Sequence, residues 1–164
     1  KWIEIEDLLK ASKYLDKNYQ IVVIGEGDEL KNYRKKYGKV FFTGKIPHEY
    51  AISLMKIFDV CISPWSSQKI FEEKSARKTF EYLAMGKPII VSDVPGKEPF
   101  LINNIHCLTY ISKNPKDLAK KIVSIFHQDF DINSMIEENT NLSKNYDWEI
   151  IFENSGITEL LKSK

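Results

Sequence analysis

The sequence predicts an α/β domain in which a parallel β-sheet is covered by helices on both faces. Short apolar runs rich in β-branched residues alternate with stretches of helical periodicity. The runs IVVIG and PIIVS are almost continuously apolar, as expected for strands of a parallel sheet that are buried on both sides. No repeat, linker or change of composition divides the 164 residues. We therefore expect a single domain spanning residues 1–164.

Each element follows from a local pattern. Strands are predicted where apolar runs are closed by Gly, Pro, Ser or Lys, and helices where apolar residues recur at helical spacing. Asp28 is expected to cap the second helix, Gly86 to end the fourth, and Asn114 with Pro115 to open the fifth. The predicted strands cover residues 19–25, 39–43, 60–63, 88–92 and 107–111, and the predicted helices cover residues 5–15, 30–37, 50–58, 79–85 and 118–126.

Composition excludes several classes of protein. The chain is 43% hydrophobic and 29% charged, unlike a disordered, collagen-like or disulfide-dense chain. Its 24 Lys and Arg balance 23 Asp and Glu, which argues against a dedicated nucleic-acid binder. No run approaches the roughly 18 apolar residues that span a bilayer, and the opening KWIEIEDLLK is charged where a signal peptide is apolar. A cytoplasmic location is expected.

Cysteines and histidines are predicted to be structural. Cys61 and Cys107 lie in apolar runs and are expected to be reduced thiols in the core. His48, His106 and His127 lack the spacing of metal ligands, so neither a metal nor a base role is expected of them.

Ligands of such a sheet bind at the carboxyl ends of its strands, where loops lead into helices. Gly25 and Gly27 follow the first strand and permit either a plain tight turn or the close approach of a ligand. The third glycine of a dinucleotide fingerprint is replaced by Leu30, which disfavours an NAD- or flavin-dependent oxidoreductase. The loop 43–47 after the second strand is equally permissive.

The segment 73–96 carries the most informative pattern. Glu73 and Glu81 lie eight positions apart, so a helix that starts near Ser75 would leave Glu73 in the loop and let both acids face one ligand. Glu81 is suited to accept two hydrogen bonds from a ribose diol. From their spacing alone, however, both acids fit an ordinary helix surface better. A phosphate would be favoured by the free N–H groups at the helix start and by its basic side chains, in the residues Ser75, Ala76, Arg77 and Lys78.

This segment resembles the E-x7-E region of retaining group 1 glycosyltransferases, and the resemblance extends over most of the chain. Glu73 and Glu81 match the two acids, and EYLAMGKPIIVSD follows in the manner of the family. The other matching segments, in the order of the family, are IVVIGEGDEL, KVFFTGKIPHE, FDVCISPWSS, SDVPGKEP and YDWEIIFE.

The resemblance implies two Rossmann-like domains that face each other across a cleft, the GT-B fold, with this chain as the C-terminal, donor-binding half. It implies that Glu81 holds the ribose of a nucleotide-diphosphate sugar and that Glu73, the catalytic residue, contacts the sugar near its reacting carbon. The backbone of Lys45 and Ile46 would meet the base, and the diphosphate would lie over the helix start at residues 75–78. No metal or other cofactor is implied.

The resemblance also implies what surrounds this domain. Residues 129–164 would form a helical tail that packs toward an N-terminal domain, which would bring the glycan or lipid-linked acceptor. The isolated domain would then be inactive, and the whole hexosyltransferase would serve bacterial surface polysaccharide or glycolipid synthesis at the inner face of the membrane. Lys74 and Ala76 stand where the family often has glycine, which keeps a non-catalytic nucleotide-binding domain as an alternative.

Overall fold

The computed structural model describes residues 5–65, 77–94, 100–127, 130–147 and 149–151. Strands and helices alternate through most of this part of the chain, which confirms the predicted α/β class. The strands are β1 (Val22–Ile24), β2 (Phe41–Gly44), β3 (Cys61–Ser63), β4 (Ile89–Asp93) and β5 (Leu108–Ile111). The helices are α1 (Ile5–Ala11), α2 (Leu30–Lys36), α3 (His48–Lys56), α4 (Arg77–Ala84), α5 (Pro115–Phe126) and α6 (Ile132–Lys144).

All the predicted strands form, and every strand pair is parallel, but the strands make two sheets instead of the expected one. β1 pairs with β2, and β4 lies between β3 and β5. β1 and β3 therefore each have a paired edge and an edge turned toward the other sheet. Between them runs a cavity of about 750 Å³, which we call the central groove and which is walled by Val22–Ile24 and by residues 60–62.

The two runs that were predicted to be buried on both sides differ in how deeply they are buried. In β4, Ile89, Ile90, Val91 and Ser92 are all 0% exposed, which confirms the prediction for PIIVS. The prediction is wrong for IVVIG, because Val22, Val23 and Ile24 are only half-buried. The reason is the central groove, because no strand of the described residues lies against that edge of β1.

The helix ends confirm two of the predicted signals and correct a third. The Asn114 side chain accepts a hydrogen bond from the Asp117 N–H over 3.1 Å, with Pro115 as the first residue of α5. Gly86 adopts a left-handed φ of 61° just after α4. Asp28 is not the cap of α2, because the N-cap position belongs to Glu29 and no side chain caps that end.

The main core lies between α1, α5 and the sheets, and it includes Leu9, Leu118 and Tyr110. Buried Asp7 of α1 accepts hydrogen bonds from the Tyr110 hydroxyl over 3.2 Å and from the Lys113 N–H over 2.8 Å, which joins α1 to the end of β5. Among the described residues, no helix is long and apolar enough to cross a membrane.

Cys61 and Cys107 are both buried and neither is part of a disulfide, as predicted. Burial raises the pKa of the Cys61 thiol to about 12, so the reactive thiolate is strongly disfavoured.

α6 holds α4 in place. The Asn139 amide, which is fully buried, donates to the carbonyl oxygen of Lys87 over 2.8 Å, just after the end of α4. Phe80, Phe100 and Tyr146 form a cluster of rings with centroids 4.9–5.3 Å apart. These contacts fix the orientation of the helix that carries Lys78 and Glu81.

Candidate functional site

The loops after β1 and β2 meet at the carboxyl ends of these strands. The Gly25 N–H donates to the Gly44 carbonyl oxygen over 3.1 Å, and both glycines have positive φ, 128° and 74°. Lys45 and Glu26 form an exposed ion pair of 3.2 Å across the two loops. A Cβ on Gly27 would meet nothing within 4 Å, so there is open space at this turn. The structure thus brings Gly25, one of the predicted site residues, beside Lys45.

α4 presents two of the predicted residues to the same region. Lys78 and Glu81 are three positions apart, so they share a face of the helix. Both line the central groove together with Ile24, the last residue of β1, and Pro64, which follows β3. α4 follows β3 in the chain, and Glu81 lies 2.9 Å from His48, which comes just after β2. Lys78 and Glu81 therefore lie near the carboxyl ends of these strands, where ligands of α/β sheets bind. Arg77 is exposed at the first described position of α4.

His48 is the residue that sequence reasoning missed. Its Nε2 atom lies 2.9 Å from Oε1 of Glu81, and the two side chains are 61% and 19% exposed. His48 is the first residue of α3, directly after the loop that contains Lys45 and half-buried Ile46. The contact therefore connects the loop after β2 with the acid on α4.

Lys78 is a half-buried cation. Burial lowers the pKa of its ammonium group to about 8, because the charged form loses hydration there. Within the described part of the chain, no carboxylate lies within ion-pair distance of its Nζ atom. An anionic ligand beside Lys78 would therefore restore the charge that burial disfavours.

Three of the predicted site residues, Glu73, Ser75 and Ala76, lie outside the described residues. The last described residue before them, Trp65, is held by two hydrogen bonds to β4. The Ser92 hydroxyl accepts from the Trp65 N–H over 2.6 Å and donates to the Trp65 carbonyl oxygen over 3.0 Å. Trp65 itself is buried.

The arrangement suits a ligand that has a diol at one end and negative charge at the other. Glu81 can accept hydrogen bonds from hydroxyl groups, Lys78 supplies positive charge a turn away, and the loops at Gly25 and Lys45 offer backbone groups. Among the described residues, no group of three or more His, Cys, Asp or Glu is placed to hold a metal ion.

Comparison with known proteins identifies the family. The family model for glycosyl transferases group 1 matches residues 2–145. The chain therefore belongs to the group 1 glycosyltransferases. It is also similar to an uncharacterized glycosyltransferase of Methanocaldococcus jannaschii, at 24% identity over 159 residues, which is 90% of this chain and 39% of that protein.

Solved structures show the same fold. Anabaena HepE in complex with UDP superposes with a TM-score of 0.77 at 16% identity, over 99% of this chain and 46% of that one. The catalytic domain of cholesterol-alpha-glucosyltransferase from Helicobacter pylori gives 0.70 at 19% identity, over 90% of this chain and 92% of that one. The fold is thus the Rossmann-like half of a GT-B glycosyltransferase. The chain spans less than half the length of the M. jannaschii and Anabaena proteins.

Proposed function

We propose that this domain binds the nucleotide-diphosphate sugar for a retaining glycosyltransferase and that the acceptor is bound by another domain. The observation that carries the proposal is the placement of Glu81 and Lys78 together at the carboxyl end of the central groove, close to the loops after β1 and β2. Two structures of one neighbour add support, since Anabaena HepE was crystallised with UDP and with UDP-glucose.

Each residue has a role in this proposal. The Glu81 carboxylate accepts hydrogen bonds from the ribose hydroxyls, and His48 holds that carboxylate toward the ligand through its 2.9 Å contact. Lys78 pairs with the diphosphate, together with the N–H groups of Ser75, Ala76 and Arg77 at the start of the helix. The backbone of Lys45 and Ile46 contacts the base, and the turn of Gly25 and Gly27 leaves room for the ligand.

Glu73 is the proposed catalytic residue. Its carboxylate contacts the sugar near the reacting carbon and stabilises the positive charge that develops there during transfer with retention. The cationic side chain of Lys78 and the helix N-terminus stabilise the departing nucleoside diphosphate, which is chemistry that these residues supply without a metal.

The acceptor belongs to the same proposal. We assign it as a glycan or a lipid-linked sugar of bacterial surface polysaccharide or glycolipid synthesis, reached from the cytoplasmic side of the membrane. One structural neighbour supports a lipid acceptor by its name, the glucosyltransferase that acts on cholesterol.

Calorimetry tests the binding function. The protein is titrated with uridine, guanosine, adenosine and thymidine diphosphates, with the matching nucleosides and with NAD. We expect one diphosphate to bind best and its nucleoside to bind far more weakly. Added salt should lower the affinity for the diphosphate and leave the affinity for the nucleoside unchanged. Lys78→Gln should lower diphosphate affinity and leave nucleoside affinity unchanged, whereas the exposed helix lysine variant Lys31→Gln should change neither. Equal affinity for nucleoside and diphosphate would contradict the proposal.

A nucleotide-binding domain without catalytic function is the second candidate. It is favoured by Lys74 and Ala76, which stand where the family often has glycine next to the donor sugar. Two results together would select this candidate. The protein would bind the nucleoside diphosphate and its sugar conjugates with the same affinity, and the whole protein would transfer no sugar.

A further inference from the structure

Three helices, α1, α2 and α5, cover one face of the sheets. α1 packs against α5, and the Tyr33 hydroxyl of α2 donates to the Glu6 carboxylate of α1 over 3.4 Å. In β4, Ile90 belongs to the core beneath α1 and α5, whereas Val91 belongs to a second core with Leu83 of α4. Because successive residues of a strand point to opposite faces, α4 and the α6 helix packed on it cover the other face.

The helices of the first face carry an excess of positive charge. α2 contains no acidic residue. In α1, Glu6 pairs with Lys10 over 3.2 Å and Asp7 is buried, and in α5 the Asp117 carboxylate accepts from the Ile111 N–H over 2.7 Å. The exposed lysines that we call the basic face have no carboxylate of the described residues within ion-pair distance. The basic face consists of Lys13, Lys35, Lys36, Lys116 and Lys120.

Two tyrosine rings bring lysines of different helices together. The Nζ atoms of Lys13, just after α1, and of Lys36, on α2, lie 5.8 and 5.5 Å from the centroid of the buried Tyr37 ring. On α5, the Nζ atom of Lys116 lies 5.6 Å from the centroid of the Tyr14 ring, which is 53% exposed. The negative face of an aromatic ring attracts cations, so the rings hold these lysines in place although like charges repel. A negatively charged surface above them would relieve this repulsion.

The positive charge of the basic face is a separation of charge within the chain and not an overall surplus. The formal net charge is only +1. On the opposite face, α6 contains Glu137 and Glu138 against Lys144 as its single cation, and its N-cap is Asp131. Such a distribution orients a domain at a negatively charged surface, with the basic face toward that surface. A binder of polynucleotides is expected instead to have a surplus of Lys and Arg.

We propose that the basic face docks on the surface of an anionic phospholipid bilayer. Its lysines attract the phosphates of the head groups, and the exposed Tyr14 ring lies at the level of the head groups, where amphipathic rings are favoured. Lys78 and Glu81 lie on α4, on the opposite face of the sheets, so that docking leaves them open. The inference does not depend on donor binding, because no residue of the proposed donor site belongs to the basic face.

Vesicle flotation of the 164-residue chain tests the proposal. We expect the chain to float with vesicles of equal parts phosphatidylcholine and phosphatidylglycerol, and added salt should release it. Vesicles of phosphatidylcholine alone should not bind it. The double variant Lys13→Gln with Lys116→Gln should lower the partition coefficient on the anionic vesicles by at least about tenfold. The matched control, Lys56→Gln with Lys144→Gln, has the same net charge at exposed positions outside the basic face and should bind like the natural chain.

Several results would overturn the proposal. Equal binding to neutral and anionic vesicles, or binding to neither, would show that the basic face is not a docking surface for anionic lipid. Equal losses in the two double variants would show that net charge alone determines binding. Tighter binding to an RNA duplex than to anionic vesicles at the same phosphate concentration would assign the face to a polynucleotide. Circular dichroism of the variants, whose substituted lysines are all exposed, should match that of the natural chain.

Discussion

The Glu81 carboxylate combines low exposure, a cation one turn away and a histidine contact. Its neighbour Lys78 makes the region favourable for negative charge, and His48 fixes one of its oxygens at 2.9 Å. A carboxylate oxygen has two lone pairs, so the contact with His48 still leaves Glu81 able to accept hydrogen bonds from two hydroxyl groups. His48 thereby becomes a positioning residue of the proposed ribose site.

Replacement of this acid should weaken ligand binding. We predict that Glu81→Ala lowers affinity for the best-bound nucleoside diphosphate by about 1.5–3 kcal/mol, since charge-assisted hydrogen bonds to the ribose are lost. His48→Ala should have a smaller effect in the same direction. Isothermal titration calorimetry measures both, with the exposed α3 variant Glu49→Ala as the control. Unchanged affinity in Glu81→Ala would remove this residue from the site.

Lys78 predicts a pH dependence with a definite sign. With its pKa lowered to about 8, Lys78 is mainly charged at pH 7 and mainly neutral at pH 9. Diphosphate binds the charged form, so affinity should fall about tenfold over that interval. In Lys78→Arg the side chain stays charged, and any residual dependence reports the titration of the ligand itself. Parallel pH profiles for the two proteins would show that Lys78 does not contact the phosphates.

Individual site residues differ in how far the sequence could predict them. Lys78 and Glu81 were predictable because a contiguous motif contains both, and the structure places them on one face of α4. His48 was not, because it meets Glu81 across 33 positions of the chain and no local pattern signals such a contact. For the same reason the lowered pKa of Lys78 follows from tertiary burial and not from its neighbours in the sequence.

At the scale of elements, the position of α4 is most important for the proposed donor site, since this helix carries both Lys78 and Glu81. α4 ends at Ala84, and Gly86, two residues later, makes the left-handed turn that closes the helix. A Cβ at this position would lie 2.8 Å from Oγ1 of Thr140 and 3.2 Å from Cγ2 of Ile136. Glycine is therefore required both for the turn and for the contact.

Gly86→Ala should destabilise the fold. We expect a loss of about 1–3 kcal/mol in the free energy of unfolding, from the left-handed φ together with the close contacts. Gly38→Ala is the matched control, because nothing lies within 4 Å of a Cβ there, and its effect should be within about 0.5 kcal/mol. Urea denaturation measures both. If the two variants unfold at the same denaturant concentration, the proposed role of Gly86 is wrong.

The strands and helices themselves were largely predictable, whereas the burial of β1 and the exact start of α3 were not. Each strand and most helices have a local apolar pattern, and Asn114 with Pro115 marks the start of α5 clearly. The half-burial of β1 was missed, because it depends on the space between two sheets and not on the run IVVIG. The α3 start at His48, two residues before the predicted one, shows that helix starts are less sharply encoded.

At the scale of the whole molecule, we propose that this domain forms one face of a cleft between two domains. Group 1 relatives such as the M. jannaschii protein are more than twice as long as the matched region. Transfer requires donor and acceptor to be held together away from water, and such positioning contributes on the order of 7–11 kcal/mol to lowering the barrier. On this proposal, we expect residues 1–164 alone not to supply this positioning.

Glu73 is expected to act on the rate in the whole enzyme. We predict that Glu73→Gln in the complete protein lowers kcat far more than donor affinity, because its contact strengthens as positive charge develops on the sugar carbon. Steady-state kinetics combined with donor titration separates the two effects. A variant with the rate of the natural protein would show that Glu73 has no catalytic role.

Donor binding and sugar transfer, both measured on residues 1–164 and on the protein from the complete reading frame, test the central claim most directly. A panel of nucleotide sugars is titrated against each protein, and transfer to acceptors is followed with the donor that binds best. We predict that both proteins bind this donor and that only the complete protein transfers its sugar. Transfer by residues 1–164 alone at an ordinary enzymatic rate, or failure of both proteins to bind any nucleotide sugar, would contradict the account.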